Sequence, residues 1–186
     1  MTVSESWSVI EKVLAEVAPQ VAVTLRAGAS PEDIALLESK IGLKIPPGYR
    51  ESLEIHDGQD DPSRLLGIFN YNQLSSISHV IADYEMHRDL FQNEPPIDWL
   101  VPDKIQNRIW MSGWIKFTEA EGDGYVIDMS PTGNGTLGQI FYRSHDDNPT
   151  EVTAPSFGTL LSRVAALMSE GAYSLEHGVI VFDELW

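Results

Sequence analysis

The sequence predicts an α+β fold: a single domain whose central, mostly antiparallel sheet is flanked by helices, with helices in the N-terminal part and one more towards the C-terminus. Three observations carry this. Apolar residues recur at helical spacing, between clear start and stop signals, over the first third of the chain and again after Ser156. Short runs rich in aromatic and β-branched residues fill the stretch from Ile109 to Tyr142, separated by Gly- and acid-rich turns. Helices on either side of that stretch, flanking an antiparallel meander, complete the α+β reading.

Taken in order, Trp7, Ile10, Leu14 and Val17 form one face of an amphipathic helix that ends near Pro19, and a loose stretch is expected up to Ala29. Ser30-Pro31-Glu32-Asp33 places an N-cap serine, a proline at the first helical position and acids in the first turn. Ile34, Leu37 and Ile41 follow on one face, and Gly42 stands where a left-handed cap is wanted. Pro46-Pro47 opens a further helix bearing Tyr49, Leu53 and His56 and closed by Asp57-Gly58. Leu65 to Phe69 reads as a short strand. Gln73 to Phe91 reads as a helix with Ile77, Ile81, Tyr84 and Leu90 inward, and Asn93 to Asp103, with three prolines, reads as loop. Strands are expected at Ile109–Met111, Trp114–Phe117, Tyr125–Met129 and Gln139–Tyr142. Ser156 caps a helix with Leu160, Leu161, Val164 and Leu167 inward, ending at Gly171, and Val179–Phe182 reads as one last strand.

The chain has 186 residues, with 12 basic against 28 acidic side chains, giving a net charge of −16. Such a field repels nucleic acid, whose binding rests on phosphate neutralisation, and disfavours anionic membranes. It favours a basic partner, or it serves solubility alone. No apolar run approaches the ~20 residues of a membrane-spanning helix, and no secretory signal opens the sequence. The absence of cysteine excludes disulfides, thiolate metal sites and a thiol nucleophile. A soluble cytoplasmic protein is the expectation.

No chemical motif survives inspection. Gly133 to Gly138 matches GxGxxG, but a strand follows where the dinucleotide fingerprint needs a helix N-terminus, so a hairpin turn is expected. Glu119, Glu121 and Asp123 resemble the start of a calcium loop, yet Ser130 occupies the closing glutamate position. His56, His79, His87, His145 and His177 show no zinc-ligand spacing, and Ser144-His145-Asp146 holds triad residue types without evidence of triad geometry. Trp110, Trp114, Tyr125, Phe141 and Tyr142 are most simply core, with a shallow binding face as the alternative.

Together these segments are similar to the SUKH superfamily, the group that includes cell-wall-assembly regulators and immunity proteins. The resemblance is carried by Gly28-Ala29-Ser30-Pro31-Glu32-Asp33-Ile34, Leu37-Glu38, Gly42, Ile45-Pro46, Tyr49-Arg50, Leu53 and His56-Asp57-Gly58. A second block comprises Trp114-Ile115-Lys116-Phe117, Gly122 to Asp128 and Gly138-Gln139-Ile140. Lys116 replaces the proline, and Asp57 the asparagine, common at those places. The family-like core covers about residues 7–168, leaving 173–186 as an extension of the one domain 1–186.

The resemblance implies an α+β domain without established catalysis, bearing no catalytic residue, cofactor or metal. It leads first to an immunity protein that neutralises a basic, nuclease-like toxin by stoichiometric binding. Asp57, Asp60, Asp61, Trp114, Glu119, Glu121, Asp123 and Asp128 are the candidate partner contacts, in a monomer or weak homodimer. The alternative is a regulatory or scaffold protein linked to cell-wall or envelope synthesis. An enzyme with an unrecognised site is the third class, and no residue nominates it.

Overall fold

Trp7, Ile10 and Leu14 lie buried along one face of α1 (Val3–Val17) in the computed structural model, which describes residues 1–63, 65–100, 103–145 and 151–183. Pro19 ends that helix, but it also starts a single further turn, α2 (Pro19–Ala22), where a loose chain was expected. Proline costs nothing at a first helical position, because its missing N–H has no intrahelical partner there. α3 (Pro31–Ile41) is capped as its sequence predicts: Ser30 Oγ accepts the Asp33 N–H at 3.1 Å, the Asp33 carboxylate returns to Ser30, and Gly42 closes it at φ +71°. α4 (Pro47–Ile55) follows, with Tyr49 and Leu53 buried.

The expected strand at Leu65–Phe69 does not form among the described residues. Ile68 and Phe69 are buried, but within a tight turn in which Phe69 and Asn72 exchange backbone hydrogen bonds and Asn70 and Tyr71 take positive φ. Burial of the two side chains, not strand pairing, is what the apolar run achieves. The helix expected from Gln73 starts later. β1 (Gln73–Leu74) pairs with β3 (Thr118–Glu119), and only then does Ser76 cap α5 (Ile77–Phe91). The buried stripe of α5 runs through Ile77, Val80, Tyr84 and His87, which leaves Leu90, expected inward, exposed.

The main sheet is antiparallel, in the order β2 (Trp114–Lys116), β4 (Gly124–Asp128), β5 (Gln139–Arg143) and β6 (Val152–Ala154). Gly133 to Gly138 lie in the turn between β4 and β5, as expected of a hairpin. Ile109–Met111 is not a strand; Trp110 is held instead by its edge contact with Tyr84, 5.3 Å between ring centres. β6 was not foreseen, its three residues being too few to show alternation. α6 (Phe157–Glu170) runs from Ser156 to Gly171 as predicted and packs on α1 and α4. The last expected strand is half of a hairpin, β7 (Ser174–Glu176) with β8 (Val179–Val181). It docks back through buried Val179, Ile180 and Phe182 and through two hydrogen bonds between Asn70 and the Phe182 backbone. Leu185 and Trp186 lie outside the described residues.

Alternation along the strands divides the sheet into two unlike faces. Ile115, Tyr125, Ile127 and Ile140 join the helices in the main core. Trp114, Val126 and Phe141 turn the other way and form a small second cluster with Ile105. Lys116 is two residues from Trp114, and Arg143 two from Phe141, so both cations belong to this second face. No helix among the described residues is long and apolar enough to cross a membrane.

Candidate functional site

Lys116 and Arg143 are the starting point, because a strand places them beside an apolar cluster and α5 then covers them. Lys116 is saturated. Its ammonium donates to Asp83 Oδ1 at 2.8 Å, Glu119 Oε2 at 2.6 Å and the Gly122 carbonyl at 3.2 Å. Asp83 lies one helical turn before His87, whose Nδ1 is 3.1 Å from the Asp83 carboxylate and 2.9 Å from the Asp83 carbonyl. Arg143 donates from Nη1 to His87 Nε2 at 3.2 Å and from Nε to the Ile109 carbonyl at 3.3 Å. A guanidinium can only donate, so this contact makes His87 Nε2 an acceptor and puts the imidazole proton on Nδ1, facing Asp83.

Burial and pairing act against each other on these groups. Burial pushes the Glu119 carboxyl up, but neighbouring His79 and Lys116 outweigh it and hold the group at about 2. For Asp83, burial is likewise overcome by His87 and Lys116, and its carboxyl is lowered. Burial lowers Arg143, with the more distant Asp83 and Asp123 charges opposing. This is a charge network held in a poorly solvated place, where each ion depends on its partners.

The network forms the floor of an open cleft of about 690 Å³, bounded by His79, Met86, Leu90 and Phe91 of α5, by Ile109 and by Gly122 and His145. Behind it lies a void of about 10 Å³, lined by Asp83, His87, Trp110, Trp114, Lys116, Val126 and Arg143. That is room for about one water among groups able to bond it. The rim is apolar: Met86 and Leu90, one turn apart on α5, are 50% and 62% exposed. Among the described residues no group of three or more His, Asp or Glu side chains is arranged to hold a metal ion.

The residues singled out in the sequence are distributed unevenly about this cleft. Glu119 belongs to its floor. Asp123, at its end, accepts the His145 backbone N–H at 2.7 Å and faces His145 Nδ1 at 2.6 Å, and Glu121 is exposed in the same turn at φ +54°. Asp61 is wound into its own turn, accepting N–H bonds from Ser63, Leu65 and Leu66, while its carbonyl is tied to Gln73, the pairing partner of Glu119. Asp60 is exposed. Asp57 is half-buried, raised by burial, and accepts the first N–H of α5 from Ile77 at 2.7 Å. Two of the eight are interior. Trp114 packs edge-on against Phe141, and Asp128 is fully buried, bonded to the Ser130 N–H and the Gln139 amide. Both serve the sheet, and neither offers surface to a partner.

Asp83, Lys116 and Arg143 were not singled out as site residues, and His87 was weighed only as a metal ligand or base and set aside. The available signal was the i, i+4 pair Asp83/His87 on one helix and two cations at strand positions two residues from aromatics. Only the pairing of α5 with the second face of the sheet turns those fragments into one site. A smaller cleft of about 340 Å³ lies on the other side of Trp110, with Arg88, Gln92, Arg108 and Ser112 in its wall.

Known proteins resemble this chain along most of its length. The model of the SMI1/KNR4 family (SUKH-1) matches residues 28–163. A cell wall biosynthesis/cell cycle regulator from Schizosaccharomyces pombe is 29% identical, the alignment covering 98% of this chain and 38% of the relative. A glucan synthesis regulatory protein from Neurospora crassa is 23% identical over 94% of the chain and 40% of its own length. Human F-box only protein 3 is 37% identical over 64% of the chain and 26% of its own length. The chain thus spans about two fifths of the fungal relatives and a quarter of the human one.

Proposed function

The chain belongs to the SMI1/KNR4 family (SUKH-1), and on that premise we propose that it is a non-enzymatic regulatory domain that binds a protein partner in the control of cell-wall or glucan synthesis. The observation that carries this reading is the match of 98% and 94% of the chain to relatives named as regulators of those processes. This favours the second of the sequence-derived readings over toxin neutralisation, which has the acidic charge as its support.

The chemistry of the cleft supports binding rather than turnover. A general base needs a lone pair facing the substrate, and a nucleophilic lysine needs an ammonium it can deprotonate. Here His87 Nε2 accepts from Arg143, and the Lys116 side-chain nitrogen spends its donors on two carboxylates and the Gly122 carbonyl. An open, apolar-rimmed cleft of several hundred Å³ is instead of the size that receives a few side chains of a partner. The net charge of −16 supports a partner whose wider surface is basic, with attraction steering approach, and a cytoplasmic site of action belongs to the same reading.

The test is a graft. A fission-yeast strain whose own regulator carries this chain in place of the matching segment is expected to grow normally in the presence of a wall-digesting glucanase. Sensitivity equal to that of a strain lacking the segment, with the chimera accumulating normally, removes the reading.

A further inference from the structure

Arg143 has more donors than the protein uses. Its Nε and Nη1 each make one hydrogen bond, and Nη2 meets no acceptor among the described residues, leaving three of its five N–H groups unspent. It is 8% exposed and forms a wall of both the open cleft and the void behind it. The carboxylates nearest in the cleft are already engaged: Asp83 and Glu119 with Lys116, and Asp123 with His145. No carboxylate among the described residues lies within ion-pair distance of Arg143. A buried cation without a counter-ion is costly, and an incoming carboxylate meets a guanidinium fork already held in place by Ile109 and His87.

We propose that this cleft receives a short peptide segment of a partner protein in which an aspartate or glutamate stands among large apolar side chains. The carboxylate bonds the unspent N–H groups of Arg143, and the apolar neighbours cover Met86, Leu90 and Ile109 on the rim. The inference rests on the reading of the chain as a partner-binding domain and specifies the chemistry of the anchor. It also fixes a sign. Against a net charge of −16, an acidic peptide is repelled at long range and attracted only within the cleft. Salt screens the first more than the second, so moderate salt leaves binding unchanged or strengthens it.

A random peptide library displayed on phage, selected against the full chain, tests this. The expected binders carry an acid flanked by Leu, Ile, Met or Phe. They lose about 30-fold or more in affinity on Arg143→Gln, the loss typical of truncating one partner of a buried charged pair. Because Arg143 also supports Ile109 and His87, Leu90→Glu serves as a second variant. Leu90 is exposed, so the fold is untouched, and the added charge should weaken binding by about tenfold through repulsion. Leu137→Glu, equally exposed but on the turn at the opposite end of the β4–β5 hairpin, should change nothing. Peptides that respond to Leu90→Glu but lack an acid, or ignore Arg143→Gln, overturn the acidic anchor and leave the cleft as a docking site. Peptides that ignore all the variants overturn both. Acetate or inorganic phosphate giving the full set of NMR shifts at the cleft, with peptides adding no affinity, identifies a small-anion site and overturns the peptide.

Discussion

Lys116 shows how much one residue can decide. It stands in a strand with 6% of its side chain exposed, where the SUKH pattern has proline, and it is the cation between Asp83 and Glu119. Removing it leaves two buried carboxylates with only their histidine and backbone N–H contacts, so Lys116→Met should destabilise the fold by about 3 kcal/mol, measured by urea unfolding at neutral pH. The acid side of the stability profile follows from the same cluster. The Glu119 carboxyl falls from its ordinary value of 4.5 to about 2 on folding, and Asp83 is lowered too. A carboxyl depressed by folding contributes fully above its unfolded value and loses that contribution as pH falls through its folded one. Stability should therefore drop between about pH 4.5 and 2, with Glu119 accounting for on the order of 3 kcal/mol. Glu119→Gln should be less stable at neutral pH and show a shallower drop over that interval. An unchanged slope would mean that Glu119 does not carry it.

At the level of elements, the helices with explicit stop and start chemistry are the ones the sequence places well. Ser30, Gly42, Ser156 and Gly171 all cap as their residue types dictate. Ser30→Ala should cost about 1 kcal/mol by thermal unfolding, the usual worth of such a cap. A sharper contrast separates two glycines. A Cβ at Gly42 meets nothing within 4 Å, so Gly42→Ala costs only its left-handed backbone, about 1 kcal/mol. A Cβ at Gly124 would fall 2.2 Å from the Thr118 carbonyl, which must move. Gly124→Ala should thus destabilise clearly more than Gly42→Ala and alter amide NMR shifts at Thr118 and Tyr125. Strand boundaries were less legible. Leu65–Phe69 and Ile109–Met111 have strand composition, but aromatic and branched side chains pack equally well in a turn that buries them.

For the whole molecule, the C-terminal hairpin matters more than its composition suggests. Its two strands pair with each other and not with the main sheet, yet Ile180 and Phe182 are buried in the same core as Trp7 and Leu14. Ile180→Ala should cost about 2–5 kcal/mol in urea unfolding, as for other buried large-to-small changes. A cost near zero would show the hairpin to be an appendage. The acidic surface also acts globally, because self-repulsion at −16 opposes the compact state when unscreened. Raising salt from low to physiological concentration should raise the melting temperature.

The amino-acid order alone determined the class of fold, most helices with their caps, three strands of the antiparallel meander, and the family resemblance, since these depend on neighbours within one or two turns. The candidate contacts it nominated stayed scattered: Asp128 and Trp114 went inside, Glu119 reached the cleft floor, and Asp123 lies beside it, bonded to His145. The cleft itself was decided by tertiary structure. Asp83 and His87 come from α5, Lys116 and Glu119 from β2 and β3, and Arg143 from β5, and no spacing in the chain encodes their meeting. Local signals specify how a segment folds on itself. Which buried charges become partners depends on which helix covers which face of the sheet, a packing choice spread over the entire core.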